Sequence, residues 1–94
     1  LLVLNRATGE VLGLRALSGA PDVIFLNARR SHLYAAIGDP GVLDVFDTRT
    51  LERVESHPTE RGAHTIAFDA TRERVYAFLP GTHRAAVFED SELD

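Results

Sequence analysis

Short apolar runs alternate with clusters of turn residues along the whole chain. Four of them, read in order, are Asp22 to Leu26, His32 to Ile37, Val42 to Asp47 and Leu51 to Ser56. They are short and rich in Val, Ile, Leu, Phe and Tyr, which predicts β-strands. The joints carry turn chemistry: Asn27-Ala28-Arg29-Arg30-Ser31, Gly38-Asp39-Pro40-Gly41 and Thr48-Arg49-Thr50. No stretch keeps a helical period for three turns, so helices are not expected. The first two segments are nearly continuous in apolar residues, as strands covered on both faces should be. The fourth alternates and is more polar, as an outer strand should be.

The pattern repeats. Sliding the sequence along itself until Leu1 meets Leu43 lays Leu1-Leu2-Val3-Leu4-Asn5 on Leu43-Asp44-Val45-Phe46-Asp47 without a gap. The same shift lays His32-Leu33-Tyr34-Ala35-Ala36 on Arg74-Val75-Tyr76-Ala77-Phe78, and Val45-Phe46-Asp47 on Val87-Phe88-Glu89. About a dozen of the 52 overlapping positions are identical. Writing the four strands of a period as a, b, c and d, the chain runs c-d, a-b-c-d, a-b-c, and Ser91-Glu92-Leu93-Asp94 falls where strand d would begin again. Four antiparallel strands every 40–45 residues fit a β-propeller blade. The expectation is an all-β β-propeller fragment of about two four-stranded antiparallel blades: residues 1–19 the end of one blade, 20–61 a complete blade, 62–94 most of the next. A β-sandwich with accidental internal similarity is the competing fold.

Two blades cannot close a ring, which needs about four to eight. The expected partners are therefore the remaining blades of a larger propeller, or other copies of the chain. Residues 1–10 and 85–94 fill the same slot of the repeat. In a self-assembled ring one of them would be redundant, so a fragment is the preferred reading.

Composition narrows the chemistry. Of 94 residues, 45% are hydrophobic and 26% charged, within the range of folded domains. The net charge is −4, and the basic residues are scattered rather than striped, which argues against nucleic-acid binding. The absence of cysteine excludes disulfides and Cys-ligated metal sites. No apolar run reaches the roughly 18–20 residues of a helical membrane span, and no membrane partner is expected. Neither a phosphate-binding loop nor a dinucleotide fingerprint is present, and no Ser-His-Asp or Cys-His grouping is suggested by spacing. No cofactor is implied.

The stretch Val45-Phe46-Asp47-Thr48-Arg49-Thr50-Leu51-Glu52, followed by Gly62-Ala63-His64-Thr65-Ile66-Ala67-Phe68-Asp69 and Arg74-Val75-Tyr76, resembles the YVTN-type (YncE-like) bacterial β-propeller repeat. Pro58-Thr59-Glu60-Arg61-Gly62-Ala63 is similar to the wording of the closing blades in particular. Ala28 and Ala70 stand where the family pattern has Pro. The resemblance implies a multi-bladed repeat protein, periplasmic or secreted if it follows the family and otherwise cytoplasmic. Its relatives include scaffolds, binding proteins and enzymes of the lactonase and quinoprotein kinds.

In a propeller, ligands sit on the face built from the d-to-a and b-to-c loops. That places Asp22 and His64, at equivalent positions entering strand a, at the channel mouth, with Arg61 before His64. The b-to-c loops add Asp39 and His83. His64 can move protons near neutral pH or simply hydrogen-bond a neighbouring loop. Asp22 can hold a cation or cap a backbone. A His64–His83 pair is two ligands without a third, too few for a zinc site, so no metal is assigned. Arg61 can hold an anion or pair with Glu60 or Glu55. Tyr34 and Tyr76 recur with the period and belong to packing, while His32 and His57 read as exposed strand ends. The leading functional expectation is a scaffold that binds a protein or small molecule on its loop face. The alternative is a propeller enzyme, lactonase-like or metal-dependent, with its site at the central channel.

Overall fold

In the computed structural model, which describes residues 1–90, the chain is all-β, with nine strands and no helix among those residues. β1 (Leu2–Leu4) and β2 (Val11–Leu14) form a two-stranded antiparallel ribbon. β3 (Pro21–Asn27), β4 (His32–Ile37), β5 (Val42–Asp47) and β6 (Glu52–Pro58) form a four-stranded meander. β7 (Ile66–Asp69), β8 (Arg74–Leu79) and β9 (Arg84–Glu89) form a three-stranded one. All pairings are antiparallel between chain neighbours. The expected fourth strand at Ser91 to Asp94 lies outside the described residues.

The repeat is written into the backbone as well as the side chains. Three pairs of residues one period apart share the left-handed conformation: Gly9 (φ 76°) and Leu51 (φ 64°), Ser31 (φ 56°) and Glu73 (φ 53°), Gly41 (φ 103°) and His83 (φ 55°). Each pair sits in the same turn of its repeat. Turn geometry at these positions dominates residue preference, because Leu and Glu tolerate positive φ poorly. Side chains close the turns too. Asn5 accepts from the N–H groups of Ala7 (2.8 Å) and Thr8 (3.1 Å), and Asp47, its repeat equivalent, from those of Arg49 (2.7 Å) and Thr50 (3.3 Å). The Arg49 guanidinium, ahead of these N–H groups, holds the Asp47 carboxyl at about 2.

The sheets stack face to face with β3–β6 in the middle. Strand alternation and register put Tyr34, Ala36, Leu43 and Val45 on one face of it, where they pack on Ile66, Val75 and Ala77, with Val23, Phe68, Ala86 and Phe88 closing the cluster. The Tyr34 and Phe68 rings meet at 5.3 Å. The opposite face carries Ala35, Ile37, Asp44 and Phe46, all buried. The buried carboxylate of Asp44 accepts from the Ser18 N–H (2.9 Å), the Ser18 hydroxyl (2.9 Å) and the Ser56 hydroxyl (2.8 Å). These bonds compensate the desolvation that an unpaired carboxylate would suffer. They also fix the segment after β2 onto this face.

Strand a departs from its expected burial. β4 and β5 are covered on both faces, but Ile24 (54% exposed) and Leu26 (56%) of β3 are open to solvent. The neighbour on that side contributes only two strands, β1 and β2, so no a or b strand lies opposite β3.

Two substitutions at one slot of the repeat test this reading. Gly41→Ala forces a Cβ into the backbone of Glu60 at a positive φ, and should cost on the order of 1–3 kcal/mol in denaturant unfolding. His83→Gly, in the equivalent turn, relieves a left-handed non-glycine residue and should be neutral or stabilising by about 1 kcal/mol or less.

Candidate functional site

The loop end that carries the five predicted residues is built from residues 38–41, between β4 and β5, and 59–65, between β6 and β7. Backbone bonds lock the two loops together: Thr59 N–H to Gly41 O at 2.8 Å and Gly62 N–H to Gly38 O at 2.7 Å. A Cβ at Gly38 would lie 3.3 Å from the His64 Cβ. Because repeat-equivalent residues in stacked sheets are neighbours, Asp22 and His64 meet: Oδ2 lies 2.7 Å from Nδ1, with both side chains more than half exposed. Arg61 reaches Asp39 at 3.1 Å, more exposed still. Arg61 therefore pairs with Asp39 and not with Glu60 or Glu55. Glu60 instead accepts from Gly81 N–H (2.5 Å) and the Thr82 hydroxyl (2.9 Å), holding the β8–β9 turn. His83 lies exposed in that turn, and no ion pair or hydrogen bond joins it to His64 among the described residues. Nor is there, among those residues, a group of three or more His, Asp or Glu able to hold a metal ion.

Chemically, the Asp22 carboxylate orients the His64 imidazole through Nδ1, which also lies 3.3 Å from the Thr65 hydroxyl. At this exposure the pair is screened and contributes little to stability.

The opposite end of the same sheets holds a denser constellation. Asn27 is buried at the end of β3 and its Nδ2 donates to the Tyr34 hydroxyl (3.0 Å), Glu73 (3.1 Å) and Asp90 (3.2 Å). Tyr34 donates in turn to Asp90, and His32 Nδ1 pairs with the same oxygen at 2.7 Å. Arg30 grips Glu73 through two guanidinium nitrogens, at 2.9 Å and 3.1 Å. Arg30, joined by Asn27, holds the Glu73 carboxyl below its usual range. His32 is only 23% exposed at its side chain, so it is not the exposed strand end its position suggests. The network draws Asn27, Arg30, His32 and Tyr34 from the middle sheet and its β3–β4 turn, and Glu73 and Asp90 from the β7–β9 side, and it borders a cleft of about 1120 Å³ lined by Leu43, Val45, Val75 and Phe88.

Two traces of this network are visible in the sequence: the tyrosines recur at 34 and 76 and the arginines at 30 and 72, and Tyr34 does pack in the core. Its partners do not recur. Asn27, His32 and Asp90 answer to Asp69, Arg74 and Thr48 at the repeat distance, so no periodic signal marks them.

Comparison with protein-family models, with curated proteins and with solved structures finds no match to this chain.

Burial, and then the hydrogen bond to Asp90, push the Tyr34 hydroxyl well above the ordinary tyrosine value. A raised folded value favours the neutral phenol, so this contribution is fully present below about pH 10. It is lost as pH climbs from there toward the folded value. Spectrophotometric titration of the Tyr76→Phe variant, which leaves Tyr34 as the only tyrosine, should show ionisation above that of free tyrosine and coincident with unfolding. Tyr34→Phe should cost about 1–3 kcal/mol, whereas His64→Ala should change stability by less than about 1 kcal/mol.

Proposed function

We propose that the chain is a segment of a β-propeller, related to the YVTN-type repeats, that serves as a binding scaffold. In this reading the sheets are successive blades, and a protein or small molecule binds at the loop end where Asp22, Asp39, Arg61, His64 and His83 lie. The observation that carries it is the stacking rule. Tyr34, Ala36, Leu43 and Val45 of the middle sheet meet Val75, Ala77, Ala86 and Phe88 of the next. The repeat equivalents of those last four are Leu33, Ala35, Asp44 and Phe46, on the other face of the middle sheet. Each sheet thus presents one kind of face forward and the other backward, a head-to-tail arrangement that propagates until a ring closes.

Both outer faces remain open. Leu2, Leu4, Leu12 and Leu14 are exposed at one end of the stack and Phe78 and Val87 at the other. Apolar surface of this kind marks an interface, and the reading assigns it to further sheets of the same repeat. The enzyme alternative rests on the Asp22–His64 pair alone, whose exposure favours recognition over a water-excluded reaction centre.

Light scattering after gel filtration, together with binding of a dye that fluoresces on apolar surface, tests the scaffold reading. It expects the full chain to bind the dye and to self-associate as concentration rises. A dye-silent monomer at all concentrations would contradict it.

A further inference from the structure

The candidate residues of the loop end are spread over four segments. Asp22 stands in β3, Asp39 between β4 and β5, Arg61 and His64 between β6 and β7, and His83 between β8 and β9. Connections of this kind are mobile unless something ties them. Backbone bonds tie residues 59–65 to residues 38–41, from Thr59 N–H to Gly41 O and from Gly62 N–H to Gly38 O. Among the described residues, no backbone bond joins 59–65 to the β8–β9 turn, residues 80–83. One side chain makes that tie. Glu60 Oε1 accepts from the N–H groups of Gly81 (2.5 Å) and Thr82 (3.2 Å), and Oε2 accepts from the Thr82 hydroxyl (2.9 Å). The approach is close enough that a Cβ at Gly81 would lie 2.9 Å from Oε1. Pro80 closes the same contact, since a Cβ at Gly62 would lie 3.3 Å from its Cγ. The preceding repeat carries an anchor at the same slot. Ser18, one period before Glu60, ties the segment after β2 to Asp44.

We infer, on the scaffold reading of the loop end, that Glu60 is a positioning residue of that site. It fixes the loop that carries Arg61 and His64 against the turn that carries His83, so that the three present one ordered surface. The same bonds have a second effect. Glu60 adjoins Arg61 in sequence, and an uncommitted carboxylate there would compete with Asp39 for the guanidinium. Held by Gly81 and Thr82, Glu60 leaves Arg61 to Asp39 at 3.1 Å. Order of this kind favours recognition by exposed polar side chains, because a partner need not immobilise them itself. Its effect on His64 can be read with no partner bound. A carboxylate only accepts, so a neutral His64 ring 2.7 Å from Asp22 Oδ2 carries its proton on Nδ1. That tautomer reports whether residues 59–65 keep their place.

Nitrogen-15 NMR of the full chain at about pH 9, where imidazole is ordinarily neutral, gives the His64 tautomer, assigned by the signals lost in His64→Ala. Amide exchange measures the order of the two loops. Glu60→Ala is compared with Glu60→Gln, which keeps an acceptor for Gly81 and Thr82, and with Tyr34→Phe, which weakens the sheets at the opposite end. We expect the Nδ1–H form of His64 in the unaltered chain. Glu60→Ala should lose that preference and exchange the Gly62 amide about tenfold faster, although the Gly62 acceptor, Gly38 O, is untouched. Glu60→Gln should restore both readouts, and Tyr34→Phe should move neither. Faster exchange at Gly81 and Thr82 alone, with Gly62 and His64 unchanged, would overturn the positioning role and leave the scaffold reading intact. So would a Glu60→Gln chain as perturbed as Glu60→Ala, or a Tyr34→Phe chain that shifts His64 as much. An unaltered chain without the Nδ1–H form would overturn the Asp22–His64 geometry, and with it both the positioning role and the site it serves.

Discussion

Burial of both faces of β4 and β5 is the constraint on which everything else hangs. Those two strands hold Tyr34, Ala35, Ala36, Ile37, Leu43, Asp44, Val45 and Phe46, all buried. A lone antiparallel sheet can hide one face only, so the middle sheet needs a neighbour on each side. Dispersion and apolar burial drive the stacking but do not say which sheet lies on which, or in what register. The buried polar groups do. Asp44 tethers the segment after β2 through Ser18 on one face, and the Asn27–Tyr34–Asp90–His32 cluster ties the middle sheet to β7–β9 on the other. Each leaves a desolvated donor or acceptor if the sheets slide.

The two ends of the stack then differ in physical character. At the loop end, Asp22–His64 and Asp39–Arg61 are exposed ion pairs that cost little to form or to break. Such groups can exchange an internal partner for an external one, which suits recognition. At the opposite end, Arg30, Glu73, Asn27, Tyr34 and Asp90 are committed to one another and bind the sheets together. Concentrations of charged residues at the two ends thus do different work. Burial separates them.

Much of this is legible in the sequence. β4 and β5 occupy the predicted spans His32 to Ile37 and Val42 to Asp47 without change, because hydrophobic density and flanking turn residues agree there. The last strand of the middle sheet runs Glu52–Pro58 rather than Leu51 to Ser56, since Leu51 is spent on the left-handed turn position that Gly9 fills one repeat earlier. β7 starts only at Ile66, because backbone bonds around Gly62 hold Ala63 and His64 in the loop. The meeting of Asp22 with His64 follows from their equivalence once sheets stack in register. The buried network leaves little mark on the sequence, because its members come from separate segments and only Tyr34 and Arg30 obey the period. Nor can Arg61's choice of Asp39 over Glu60 be read there, since it depends on Glu60 reaching the β8–β9 turn.

If the structure is built outward from one doubly covered sheet, the middle sheet is its most protected element and the others rank by how many neighbours they have. Native-state amide hydrogen exchange measures that ranking directly. Amides of β4 and β5 should exchange slowest, with β8 next and the β1–β2 ribbon fastest. Protection in β1–β2 equal to that in β4 and β5 would contradict the claim.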